Sequence, residues 1–188
     1  LPLLTVDVMI ETPSVLQPFV SILGGAIAWF VLFGWWQDGA PAVGLLSSLL
    51  VLVWVSLVIV GGHFLGVRYR PRVADDAPPV TASGLWVALI GHFFLLAVAG
   101  NAEWAAAPWP IFGALAVMTL AFSTAALAAG NAQFHVVSTI MAALVLVVWR
   151  QVAQPAGFVH TPIAAFGVLT LLALAWIAVM QRFGALVA

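Results

Sequence analysis

Val43–Leu65, VGLLSSLLVLVWVSLVIVGGHFL, decides the fold. Not one Asp, Glu, Lys or Arg interrupts it, and its apolar residues fall on every face of a helix rather than on one stripe. A water-soluble helix of that kind would have no side to offer to solvent, whereas a bilayer with roughly 30 Å of hydrocarbon needs about 20 such residues for one crossing. A membrane-spanning strand would alternate polar and apolar residues over about ten positions. The run is continuous, so it reads as a transmembrane helix.

Five more segments carry the same signature, giving spans at about 15–36, 43–65, 83–98, 111–129, 132–149 and 162–180. Composition agrees over the whole chain of 188 residues: 65% are hydrophobic and 6% charged, with a net charge of −1. So few charges cannot solvate a globule of this size. The expected fold is all-α, a polytopic transmembrane bundle of about six helices in up-down hairpins, residues 1–188 forming one domain. All five basic residues are arginines scattered along an apolar chain. They form no patch able to neutralise a run of phosphates, which excludes nucleic-acid binding. The absence of cysteine removes disulfides, thiolate metal sites and thiol catalysis.

The connectors give sidedness. Asp38-Gly39-Ala40-Pro41 reads as a tight turn, Arg68 to Pro79 as an aqueous loop, Gly100 to Pro110 as a loop rich in Trp and Pro, and Gly130-Asn131 as a minimal turn. Arg68, Arg70, Arg72 and Arg182 then fall on one side and Arg150 on the other, so the positive-inside rule places both ends in the cytoplasm. Trp35, Trp36, Trp104, Trp109 and Trp149 fall at the opposite interface, where amphipathic rings anchor. Leu1 lacks the features of a natural start, and the chain is expected to be a piece of a larger polytopic protein, with lipid and other transmembrane helices, of its own or a partner chain, as its partners.

Inside the spans, polar residues are the candidates for function, because an unpaired polar group in hydrocarbon costs several kcal/mol. Thr119 and Ser123 make a stripe on the fourth helix; Asn131, His135, Ser138 and Thr139 make one on the fifth. They either bond between helices or line a path for a solute. His63 and His135 match in depth and could ligate a metal or a haem b. His92 lies near mid-membrane, where a hydroxyl such as Thr119 could satisfy it. The chain shows no Gly-x-Ser-x-Gly elbow, zinc-binding His-Glu-x-x-His or phosphate loop, and catalysis is not expected. Pairs of small residues four apart, Ser21/Gly25, Gly24/Ala28, Gly44/Ser48 and Gly62/Gly66, mark faces for close helix approach.

Two echoes recur at a spacing of about thirty, one span plus one turn: Gly62-His63-Phe64 with Gly91-His92-Phe93, and Ala99 to Trp104 with Ala129 to Phe134. In those histidine-bearing spans and the tight Gly130-Asn131 turn, the chain resembles the very large multi-pass bacterial membrane proteins grouped as a family of unknown function. The resemblance implies serial apolar helices in a bacterial inner membrane and carries over no active-site residue. The resulting expectation is a structural or scaffolding module without catalysis or cofactor of its own. The alternatives are part of a transporter or channel with a polar path along the fourth and fifth helices, and a histidine-ligated haem electron carrier.

Overall fold

The computed structural model describes residues 17–69, 81–104, 108–129 and 131–152, with single helical positions at Gly167, Thr170, Leu171, Leu174, Ile177, Ala178 and Gln181. Among the described residues there are five helices and no strand: α1 Gln17–Val43, α2 Leu45–Tyr69, α3 Thr81–Ala99, α4 Pro108–Ala128 and α5 Ala132–Val152. Each of the first five expected spans lies within one of them, apart from residues at the ends of the first, second and fourth. Apart from those single positions, the expected sixth span lies outside the described residues, as do the loop from 70 to 80, Val15 and Leu16. Among the described residues three helices, Leu45–Leu65, Pro108–Ala128 and Ala132–Val152, are long and apolar enough to cross a bilayer. That property supports an integral membrane protein.

Helix ends differ from the sequence reading at two places. The expected turn at Asp38 to Pro41 is helical, and α1 runs on to Val43. The break comes at Gly44, whose φ of 83° is a left-handed conformation that only glycine adopts without strain. Its N–H donates to the Ala40 carbonyl at 3.0 Å, while its carbonyl accepts the Ser48 N–H at 3.1 Å and the Ser48 hydroxyl at 2.9 Å. One residue therefore ends α1 and begins α2, and Gly44 serves as a hinge of backbone rather than as half of a packing pair with Ser48. The expected loop around Pro108-Trp109-Pro110 is instead the first turn of α4. A first-turn proline forfeits no helical hydrogen bond, because N–H groups there have no partner within the helix.

The principal packing pairs are α1 with α2 and α3, α2 with α3 and α4, α3 with α4 and α5, and α4 with α5. The short helix α3 is thus the one that meets all the others. Glycines let the neighbours close on it. A Cβ added to Gly84 would collide with the His63 ring of α2, and one added to Gly91 would meet Met118 of α4 at 2.7 Å, Ser56 of α2 at 2.8 Å and Trp29 of α1 at 2.9 Å. Going up α3 from Gly84 to Gly91 means going down α2 from His63 to Ser56, so these helices are antiparallel. By the same reasoning α1 is parallel to α3: Gly25 lies against Val87 and Trp29 against Gly91. Ring contacts of Phe122 with Phe134 and of Phe112 with Trp149 show that α4 and α5 are antiparallel. Trp86 against Phe134 and His92 against Ser138 set α3 parallel to α5.

Alternating direction gathers the C-terminal ends of α1, α3 and α5 with the start of α4, and Trp35, Trp36, Trp104, Trp109 and Trp149 with them. Trp36 meets Phe94 at 5.0 Å and Trp104 at 5.5 Å, and Phe112 meets Trp149 at 5.1 Å. Their common end of the bundle agrees with the sequence reading. Their role differs for two of them: Trp36 and Trp149 are each only 1% exposed and form core, whereas Trp109 is 61% exposed. Helix rotation turns the first two rings inward, where edge-on aromatic contacts hold them.

Candidate functional site

His92 follows Gly91 by one residue, about 100° around the helix. With Gly91 turned toward α1, α2 and α4, the imidazole turns toward α4 and α5. Its Nε2 lies 3.2 Å from the Thr119 hydroxyl of α4 and 3.2 Å from the Ser138 hydroxyl of α5. The edge of the Phe122 ring packs on the imidazole, with centroids 5.6 Å apart and planes at 72°. All three polar side chains are buried, His92 to 1% exposure. Three helices are thereby joined at a single nitrogen.

The two hydroxyls at this node differ from most others in the helices. Ser48, Ser56, Thr124 and Thr139 each return their hydroxyl to the carbonyl four residues earlier, the usual refuge of a hydroxyl in an apolar helix. Thr119 and Ser138 bond only to His92. The opposite nitrogen, Nδ1, is buried with no hydrogen-bond partner among the described residues, and so is the Ser123 hydroxyl one turn beyond Thr119.

The structure brings together two members of the expected polar stripes. Thr119 and Ser138 converge, on a histidine that the sequence placed at mid-membrane with Thr119 as its candidate partner. Ser123 is buried one turn from them on α4. His135 lies one turn from Ser138 on α5, close to Thr139, whose hydroxyl sits 3.0 Å from the His135 carbonyl and 3.4 Å from its Nε2. Thr139 itself is exposed. Asn131 precedes α5: its N–H donates to Ala126 at 2.8 Å and its carbonyl accepts from Phe134 at 3.1 Å, so it shapes the α4–α5 turn. The Asn101 carbonyl accepts from Trp104 at 3.1 Å in the same way, and this echo in the sequence is also an echo in structure. The Gly-His-Phe echo is not, because His63 packs on Gly84 near the end of α2 while His92 sits at the centre of α3.

His63 and His135, the expected ligand pair, belong to α2 and α5, which are not among the principal packing pairs. His63 is buried, with its Nε2 unpartnered among the described residues. No group of three or more His, Cys, Asp or Glu occurs among the described residues. A hydroxyl beside an imidazole is the pairing that catalytic triads use; among the described residues Nδ1 has no hydrogen-bond partner, and both hydroxyls are buried. The arrangement suits holding helices together.

A groove of about 270 Å³ lies away from this node, between α1 and α3 at the tryptophan end, lined by Phe33, Trp36, Phe93, Phe94 and Trp104, with Gln37 as its polar member. Sequence reading missed the bond from the Trp29 indole to the Val87 carbonyl, 2.8 Å long and buried. No sequence pattern announces a tryptophan that bonds to another helix's backbone. Comparisons with protein-family models, curated proteins and solved structures return no match.

Proposed function

We propose that this chain is a structural helical module of a larger polytopic membrane protein, packed around α3, with a scaffolding role and no catalysis of its own. The observation that carries the reading is the commitment of Thr119 and Ser138 to His92. The polar atoms best placed to line a path are spent on joining three helices. In this reading the chain crosses a bacterial inner membrane six times in up-down hairpins, with both ends in the cytoplasm. The clustering of Trp36, Trp104, Trp109 and Trp149 at one end of the bundle supports that orientation, since Arg68, in the last turn of α2, then lies at the other.

Since the chain has no native cysteine, single cysteines can be introduced without background. With impermeant thiol reagents on intact cells and on inverted vesicles, D75C should label from the cytoplasmic side and E103C from the outside. Labelling of both from one side would overturn the topology. Purified protein in liposomes should leave them tight to protons and small neutral solutes. A leak abolished by S138L would replace the structural role with a transport role along α4 and α5, and Soret absorbance that vanishes in H63L or H135L would replace it with the haem carrier.

A further inference from the structure

We propose that the groove between α1 and α3 holds one acyl chain of a phospholipid, with the lipid's ester group at Gln37. This site rests on the membrane-spanning reading and adds to it a particular bound molecule. The two helices run parallel and touch closely where Gly25 faces Val87 and Trp29 faces Gly91. Further toward the tryptophan end their backbones are held apart by rings, Phe94 of α3 meeting Phe33 of α1 at 6.1 Å and Trp36 at 5.0 Å. Contact through glycine at one level and through aromatic rings at the next leaves a cleft of about 270 Å³.

The form of the cleft selects its occupant. Trp36, Phe94 and Val98 are buried along it, while Phe33 and Phe93 are about half exposed, so it opens sideways to the surroundings of the bundle. From Ile90 to Ala97 it follows α3 for about 10 Å, against roughly 15 Å for the hydrocarbon of one leaflet. Its volume is that of a single alkyl chain rather than of a helix about 10–12 Å across. The lining is aromatic and aliphatic except for Gln37, which is exposed and follows Trp36, itself 5.5 Å from Trp104. Tryptophans gather at the headgroup boundary, so this one amide falls at the depth of the ester carbonyls, to which it can donate. The indole N–H of Trp36 is a further donor of the lining residues without a partner among the described residues. A wall that is apolar along its length and carries an amide at its interfacial end complements an acyl chain and its ester.

The test uses the whole chain in liposomes containing a phosphatidylcholine with a diazirine on one acyl chain, extracted in mild detergent, washed and then illuminated. The expected result is one lipid per chain, attached at Phe33, Ile90, Phe93 or Ala97. Ala97 is exposed and lines the cleft, so A97F should fill it and lower labelling severalfold; Q37L should lower it as well. V117F, on an exposed part of α4, should label like wild type. Labelling spread evenly over the exposed residues of all helices would overturn the proposal. So would A97F or Q37L labelling at the wild-type level, or V117F losing as much as A97F. The wild-type map decides even where A97F fails to fold. A chain monodisperse in buffer without detergent would bring down the membrane reading and this site with it, whereas a chain that needs detergent yet carries no label in the cleft overturns the site alone.

Discussion

The indole Nε1 of Trp29 donates to the main-chain carbonyl of Val87, 2.8 Å away and buried, tying α1 to α3 through backbone rather than side chain. Val87 lies four residues before Gly91, so its carbonyl already accepts the ordinary helical bond and uses its second lone pair for the indole. The missing Cβ of Gly91 leaves room for the Trp29 ring, which would come within 2.9 Å of it. One glycine and one tryptophan thus set the approach of α1 to the central helix.

Gly91→Ala should destabilise the bundle by about 1–3 kcal/mol, the usual cost of overpacking. Met118 can swing its terminal methyl aside, but the Trp29 ring and Ser56 cannot yield together. Gly113→Ala, where an added Cβ meets nothing within 4 Å, should change stability by less than about 0.5 kcal/mol. Thermal unfolding of both variants in detergent compares them directly, and equal losses would show that Gly91 is not a packing point.

Trp29→Phe keeps most of the ring and deletes the donor. The Val87 carbonyl retains its helical partner and no orphan is created, so the loss should be modest, about 0.5–1.5 kcal/mol. Trp54→Phe, on a residue 68% exposed, should cost less. Reversible unfolding with the two variants side by side reads the difference.

The hydroxyls on His92 should couple. Thr119→Val or Ser138→Ala alone leaves Nε2 with one hydroxyl partner and should cost about 0.6 kcal/mol, the average for a hydrogen bond between transmembrane helices. Together they leave a buried ring nitrogen unsatisfied, so the double variant should lose more than the sum, by about 1 kcal/mol or more. A double-mutant cycle measured by unfolding in detergent gives that coupling; simple additivity would mean the two bonds are independent.

Gly44→Ala should lower stability by about 1 kcal/mol, because a side chain is strained at a φ of 83°. Gly44→Asn should cost less, since asparagine tolerates the left-handed region. If the two variants match wild type, α1 and α2 do not depend on the left-handed residue between them.

Helix existence was legible in the residues. Val43–Leu65 has one physical destination, and the first five expected spans correspond to the five described helices. Ends were less legible. Asp-Gly-Ala-Pro has the chemistry of a turn, yet Gly44 is where the chain breaks, because the left-handed conformation rather than polarity decides the break. Pro108 and Pro110 were read as loop, although the first turn of a helix suits them equally well.

What the residues alone determined is the medium and the secondary structure: charges this sparse and apolar runs this long admit only hydrocarbon, and hydrocarbon admits a continuous backbone of this kind only as helix. What only the tertiary structure decided is how each helix is turned about its axis, and hence that α3 is central, that Trp36 and Trp149 face inward, and that Thr119 and Ser138 meet on His92. A helix apolar all round has no polar face to fix its rotation. That rotation is set by where another helix offers a glycine, a hydroxyl or a carbonyl, and such partners are far apart in sequence.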